Sequence, residues 1–97
     1  MTQIYVMKEP GRFPLGELYV TAAVDRTIAP ADISRALARH AKGDWGDVGP
    51  EDWAENELSL KEGYRLLSVY KDAQGVTFWI ITERDRSVTT VLLPDDY

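Results

Sequence analysis

The sequence predicts an α+β domain of two layers, in the order β-α-α-β-β-β, with an antiparallel sheet packed on two helices. Three observations carry that reading. Two middle segments place apolar residues at helical spacing behind a proline and acidic residues that suit a helix start. The last third changes to runs rich in Val, Ile, Thr and aromatic residues, separated by polar turns. With 97 residues, of which 44% are hydrophobic, the chain can bury one core but not two, so residues 1–97 are expected to form a single domain.

Taken in order, residues 3–7 (QIYVM) read as a short strand that Pro10, Gly11 and Pro14 interrupt. Residues 18–24 (LYVTAAV) read as a second extended run, with Asp25, Arg26 and Thr27 turning away from it. A helix follows. Pro30 suits its first turn and Asp32 its positive end; Ile33, Leu37 and Ala41 share a face, and Gly43 stops it after Lys42. The next helix starts after Asp47 or Gly49, with Pro50 at its first position and Glu51 and Asp52 in its first turn. Trp53, Glu57, Leu60 and Tyr64 continue it, and Gly63 lies near its end. Residues 64–71 and 76–83 flank the turn Asp72-Ala73-Gln74-Gly75 and form a hairpin. A polar turn at 84–87 leads to a last strand over 88–93, which Pro94 ends because it has no N–H to give.

The strand from Val76 is apolar on both parities. Val76, Phe78 and Ile80 point one way, Trp79 and Ile81 the other. Two helices cover one side only. The second side, joined in this reading by Tyr64, Leu66 and Tyr70 across the hairpin, needs another cover. It is either the chain's own Ile4-Tyr5-Val6-Met7 with Phe13, or a second copy in a homodimer.

Composition narrows the chemistry. With no cysteine, disulfides, thiolate metal sites and cysteine nucleophiles are excluded. No apolar run approaches the ~20 residues that span a bilayer, and the first residues lack the pattern of a secretory leader, so the expected location is the cytoplasm. The net charge of −5 is uneven: residues 1–42 hold six bases against four acids, whereas residues 43–62 hold seven acids against Lys61 alone. Direct nucleic-acid binding is therefore not expected, because the bases are interleaved with acids and form no basic footprint.

Candidate chemistry is sparse. The single histidine, His40, falls in the last turn of the first helix, where a partly positive ring would suit the negative helix end. No nucleophile motif marks Ser34, Ser59, Ser68 or Ser87 as a partner for it. The carboxylates of Asp44, Asp47, Glu51 and Asp52 do not follow the register of a calcium loop, so no metal is expected. They read instead as a solvated acidic linker and helix start, with Trp45 and Trp53 as apolar pins. Glu57-Leu58-Ser59-Leu60-Lys61 has a nuclease-like carboxylate–lysine spacing, but it falls on a helix rather than on a strand edge. Arg84, Arg86, Thr89 and Thr90 form a basic, hydroxyl-rich corner able to grip a phosphate or carboxylate; the competing reading is a hairpin turn flanked by outward-facing β-formers. No phosphate loop or zinc motif is present, and no cofactor is implied.

Four stretches together carry a resemblance. They are GDWGD (43–47), AENE (54–57), GYRLLSVY (63–70) and WIITERDRSVTTVLLP (79–94). Over about residues 15–97 the chain resembles a family of small bacterial proteins carried on plasmids and other mobile elements, some of which are labelled restriction-enzyme subunits. This chain has no methyl-donor or helicase motif to support that label, and residues 1–14 stand outside the resemblance as a variable N-terminal segment. The resemblance implies no catalytic residues. A mobile-element setting favours a non-enzymatic domain that binds a basic protein partner through Asp44, Asp47, Glu51, Asp52 and Glu55, as an inhibitor occupying the nucleic-acid groove of a host defence complex. The alternative is a small enzyme or ligand-binding domain using Arg84, Arg86, Thr89 and Thr90.

Overall fold

The computed structural model describes residues 11–97. The expected strand over residues 3–7, and with it a cover built from Ile4 to Met7, lies outside the described residues. The described chain is α+β, with a mixed four-stranded sheet packed on helices. Its elements are β1 (Glu17–Val20), α1 (Ala22–Thr27), α2 (Pro30–Ala41), α3 (Pro50–Glu62), β2 (Leu66–Lys71), β3 (Thr77–Thr82) and β4 (Val88–Leu92), followed by a 3-10 turn, Pro94–Asp96.

The extended run expected over 18–24 is cut short. At Thr21 the hydroxyl accepts a hydrogen bond from the Val24 N–H at 3.2 Å and caps a six-residue helix, α1. A threonine cap followed by Ala22 and Ala23 favours the helix over continued strand. Three helices therefore precede β2 where two were expected. α2 and α3 start at Pro30 and Pro50, as the prolines and acids predict, and α3 ends on the left-handed Gly63.

The sheet order is β1-β4-β3-β2. β2–β3 and β3–β4 are antiparallel, but β1 runs parallel to β4, with Glu17 opposite Val88 and Val20 opposite Val91. The purely antiparallel sheet expected from the sequence is thus corrected: the three helices carry the chain from β1, at one edge, to β2, at the other. The main core lies between this sheet and the helices, where Val20, Val24, Ile28, Ile33, Leu37, Tyr70, Phe78, Ile80 and Val91 are buried. A second cluster joins Phe13, Trp45 and Leu66.

Two placements depart from the expected faces. Leu66, Ser68 and Tyr70 point into the core, so it is Leu67 and Val69 of β2 that share the opposite face with Trp79 and Ile81. Phe13 does not cover that face either: its ring stacks on Trp45 at 6.1 Å and meets His40 edge-on at 5.3 Å. The apolar pins separate as well. Trp45 is fully buried, whereas Trp53 is 37% exposed on α3.

Candidate partner-binding site

The loop between α2 and α3 sets the site. Gly46 adopts φ +78°, and a Cβ there would collide with the Val69 carbonyl oxygen, so glycine is required for the loop to lie against β2. In that position the Asp47 N–H donates to the Val69 carbonyl at 2.7 Å, and the Val69 N–H donates to the Trp45 carbonyl at 3.1 Å. Next to it, the Asn56 amide of α3 donates to the Leu67 carbonyl at 2.7 Å and accepts from the Leu67 N–H at 3.1 Å. A side-chain amide and a loop thus stand where a fifth strand would bond along the outer edge of β2. Asn56 and Ser59 are the buried residues of α3, which explains why apolar spacing misassigns its inner face: the helix lies along a strand edge with polar groups to satisfy.

Trp45 anchors the loop from inside. Its ring lies 5.7 Å from that of His40, and its Nε1–H donates to Glu57 at 2.8 Å. Glu57 also accepts two bonds from Arg12, at 3.0 and 3.1 Å; the Arg12 guanidinium first, and the indole second, hold its carboxyl below the usual carboxylate range. The nuclease-like Glu57–Lys61 spacing is accordingly structural at its acidic end.

The five acids are not one cluster. Asp47, Asp52 and Glu55 line a groove of about 310 Å³ whose apolar floor includes Val48, Leu67 and Val69. Among the described residues, none of these three carboxylates forms a salt bridge. Asp44 turns elsewhere. It takes two bonds from Arg39, at 2.7 and 3.2 Å, and the guanidinium lowers its pKa; Arg39 also lies 4.8 Å over the Tyr70 ring. Glu51 is exposed in the first turn of α3 but does not line the groove. The expected five-residue surface is therefore corrected to three converging acids, with Asp44 neutralised by its neighbour.

The groove adjoins a hollow of about 250 Å³ on the sheet face away from the helices, lined by Arg65, Leu67, Trp79, Ile81 and Tyr97. Arg65 and Leu67 belong to both. The C-terminal turn builds one wall: Asp96 accepts from the Thr21 hydroxyl at 2.8 Å and from the Leu93 N–H at 2.9 Å, which brings the Tyr97 ring to 5.7 Å from Trp79. Arg65 donates to the Tyr97 hydroxyl at 2.9 Å and lies 3.8 Å from Glu83. Sequence reasoning places Trp79 and Ile81 on this face through the double apolar parity of β3. It misses Leu67, Arg65 and Tyr97, because Leu66 and Leu67 are indistinguishable as wall and core until the strand has partners.

The basic corner does not form. Thr89 points into the core and is fully buried, while Thr90 lies on the other face. Arg86, at φ +62°, donates to the carbonyls of Tyr64 at 2.5 Å, Ser59 at 3.0 Å and Glu83 at 3.1 Å, tying the β3–β4 turn to the end of α3. Its guanidinium is committed to backbone; Arg84 alone is exposed.

His40 does sit in the last turn of α2, as expected, but the expected positive charge is corrected: the ring is fully buried. Its Nδ1 lies 2.6 Å from the Ser68 hydroxyl and its Nε2 lies 2.8 Å from that of Thr82, which in turn lies 2.7 Å from Thr89. Thr89 donates to the Leu15 carbonyl at 2.7 Å. Each hydroxyl has one proton, so the row is ordered from its end: Thr82 donates to Thr89, and His40 Nε2–H donates to Thr82. Burial first, then the nearby Arg86 charge, lowers the ring's pKa to about 3, and in the neutral ring Nδ1 accepts from the Ser68 hydroxyl. The serine–histidine distance suits a nucleophile and base, but both groups are sealed from substrate and the second nitrogen meets a threonine instead of an orienting carboxylate.

No family model, curated protein or solved structure matches this chain. Among the described residues, no helix is long and apolar enough to cross a membrane, and no three His, Asp or Glu side chains are placed to hold a metal ion.

Proposed function

We propose that this chain is a non-enzymatic protein-binding domain that takes a basic partner at the groove of Asp47, Asp52 and Glu55. The observation that carries the reading is the convergence of three carboxylates, without a salt bridge among the described residues, on a groove with an apolar floor. Such a field draws cationic groups at long range, and the floor supplies area to bury once they arrive. In the mobile-element setting that the resemblance implies, the partner is a nucleic-acid-binding defence complex, whose basic groove the domain occupies in place of nucleic acid. The placement of Arg86 and Thr89 gives the ligand-binding alternative no comparable support.

The test is capture of basic proteins from the native host by the immobilised chain, across about 50 to about 500 mM salt. Capture is expected to fall steeply with salt and to disappear in the double variant Asp52→Lys, Glu55→Lys. Capture by that variant equal to the parent's would remove the groove from the account.

A further inference from the structure

The apolar hollow next to the acidic groove has a more specific use. We propose that it receives one large apolar side chain of a short basic segment, whose lysine or arginine residues lie along the groove. This inference rests on the reading above and names what that site recognises.

Size comes first. At about 250 Å³ the hollow falls below the ~300–1,000 Å³ of pockets that enclose a small-molecule ligand, so its scale is that of a single side chain. Its walls are chosen for apolar contact: Trp79 and Tyr97 offer ring faces and edges, Leu67 and Ile81 aliphatic surface. Leu67 is 37% exposed and Tyr97 70% exposed, so both hold apolar area that an occupant would bury.

Charge then selects the occupant. The hollow shares Arg65 and Leu67 with the adjoining groove of Asp47, Asp52 and Glu55. Arg65, the base lining both, is already turned to the Tyr97 hydroxyl and Glu83. A second copy would bring its own carboxylates to this rim, in a chain of net charge −5, and a nucleic acid or anionic lipid would meet the same repulsion. A cationic segment gains from it.

The edge of β2 finally decides the mode. Asn56 and the 45–47 loop already bond the outward N–H and C=O groups of Leu67 and Val69, so the segment cannot join the sheet as an added strand there. Recognition is left to side chains: an anchor in the hollow and cations in the groove.

The experiment compares two synthetic peptides of about a dozen residues, both lysine-rich, one with a central tryptophan and one with serine in its place. Each is titrated into the full chain by calorimetry at low and high salt. The tryptophan peptide is expected to bind at least about tenfold more tightly, as for a buried anchor. Trp79→Ala and, separately, Tyr97→Ala, at residues that line the hollow and not the groove, should bring the two peptides within about twofold of each other while leaving the salt-dependent binding of the serine peptide intact. Both sites are partly exposed, and unchanged thermal midpoints would show that the variants fold. Equal binding of the two peptides, lost in Asp52→Lys, Glu55→Lys, would overturn the anchor and leave the acidic groove standing. No salt-dependent binding of either peptide would sink both. A dimer in light scattering that Leu67→Asn dissolves would assign the hollow to a second copy and refute the basic segment.

Discussion

Strand β3 is apolar on both sides, yet its two sides meet different fates. Phe78 and Ile80 are sealed beneath the helices, while Trp79 stays half-buried opposite Val69, with its ring 5.7 Å from that of Tyr97. On the sealed side the buried polar side chains of Ser68, His40, Thr82 and Thr89 form one hydrogen-bonded row that ends on the Leu15 carbonyl. Beneath helices a missing bond would cost about 1–3 kcal/mol, so closure and hydrogen-bond completeness go together. Among the described residues the open side carries no such row, and Leu67 and Tyr97 keep apolar area available there. A small chain can thus commit one sheet face to stability and, under the function proposed above, leave the other for recognition.

Breaking the sealed side should give the largest effect. Trp45→Ala removes a fully buried indole that touches Phe13 and His40 and donates to Glu57, and is expected to lower the unfolding free energy by about 3–5 kcal/mol in urea titrations. Trp53→Ala, on the exposed side of α3, should change it by less than about 1 kcal/mol. Similar losses at the two positions would contradict the contrast between them.

Acid sharpens the same comparison through His40. The unfolded chain takes up a proton there near pH 6.5, whereas the folded chain resists protonation until about pH 3. The contribution is therefore complete above pH 6.5 and lost on acidification, reaching about 2 kcal/mol by pH 5 at ~1.4 kcal/mol per pH unit. His40 is the only histidine, so this window is its own; the lowered carboxylates of Asp44 and Glu57 add their losses below it. Replacing His40 with Gln should flatten stability between pH 5 and 6.5. A slope that persists in the variant would show that the ring is not buried neutral.

The smallest effect tests the strand edge that separates groove from sheet. Asn56→Ala uncovers the Leu67 N–H and C=O and should cost about 1–2 kcal/mol, with faster amide exchange at Leu67 than at Ser68. Unchanged exchange at Leu67 would mean that the amide does not guard the edge.

The comparison also marks where local signals stop. Those that act within a few residues were legible: Pro30 and Pro50 open α2 and α3, Asp72 and Gly75 turn β2 into β3, and β-branched runs set the last three strands. Thr21 was a local signal as well, and its cap on α1 is the one that a reading by β-propensity passes over. The groove was legible only in part, because clustering along the chain puts Asp44 beside Asp47 while a left-handed Gly46 sends them to different neighbours.

By itself, then, the sequence determined the α+β class, the placement of the long helices and last strands, the acidic excess of residues 43–62 and the double apolar character of β3. Tertiary structure alone decided that Leu66 is core and Leu67 wall, that Trp45 is sealed and Trp53 exposed, that Arg86 is spent on carbonyls, and that His40 is neutral. The physical reason is common to all of these: helix starts and turns depend on bonds within a few residues, whereas burial, charge state and the grouping of side chains depend on partners as far as 75 residues apart in the chain, such as Thr21 and Asp96.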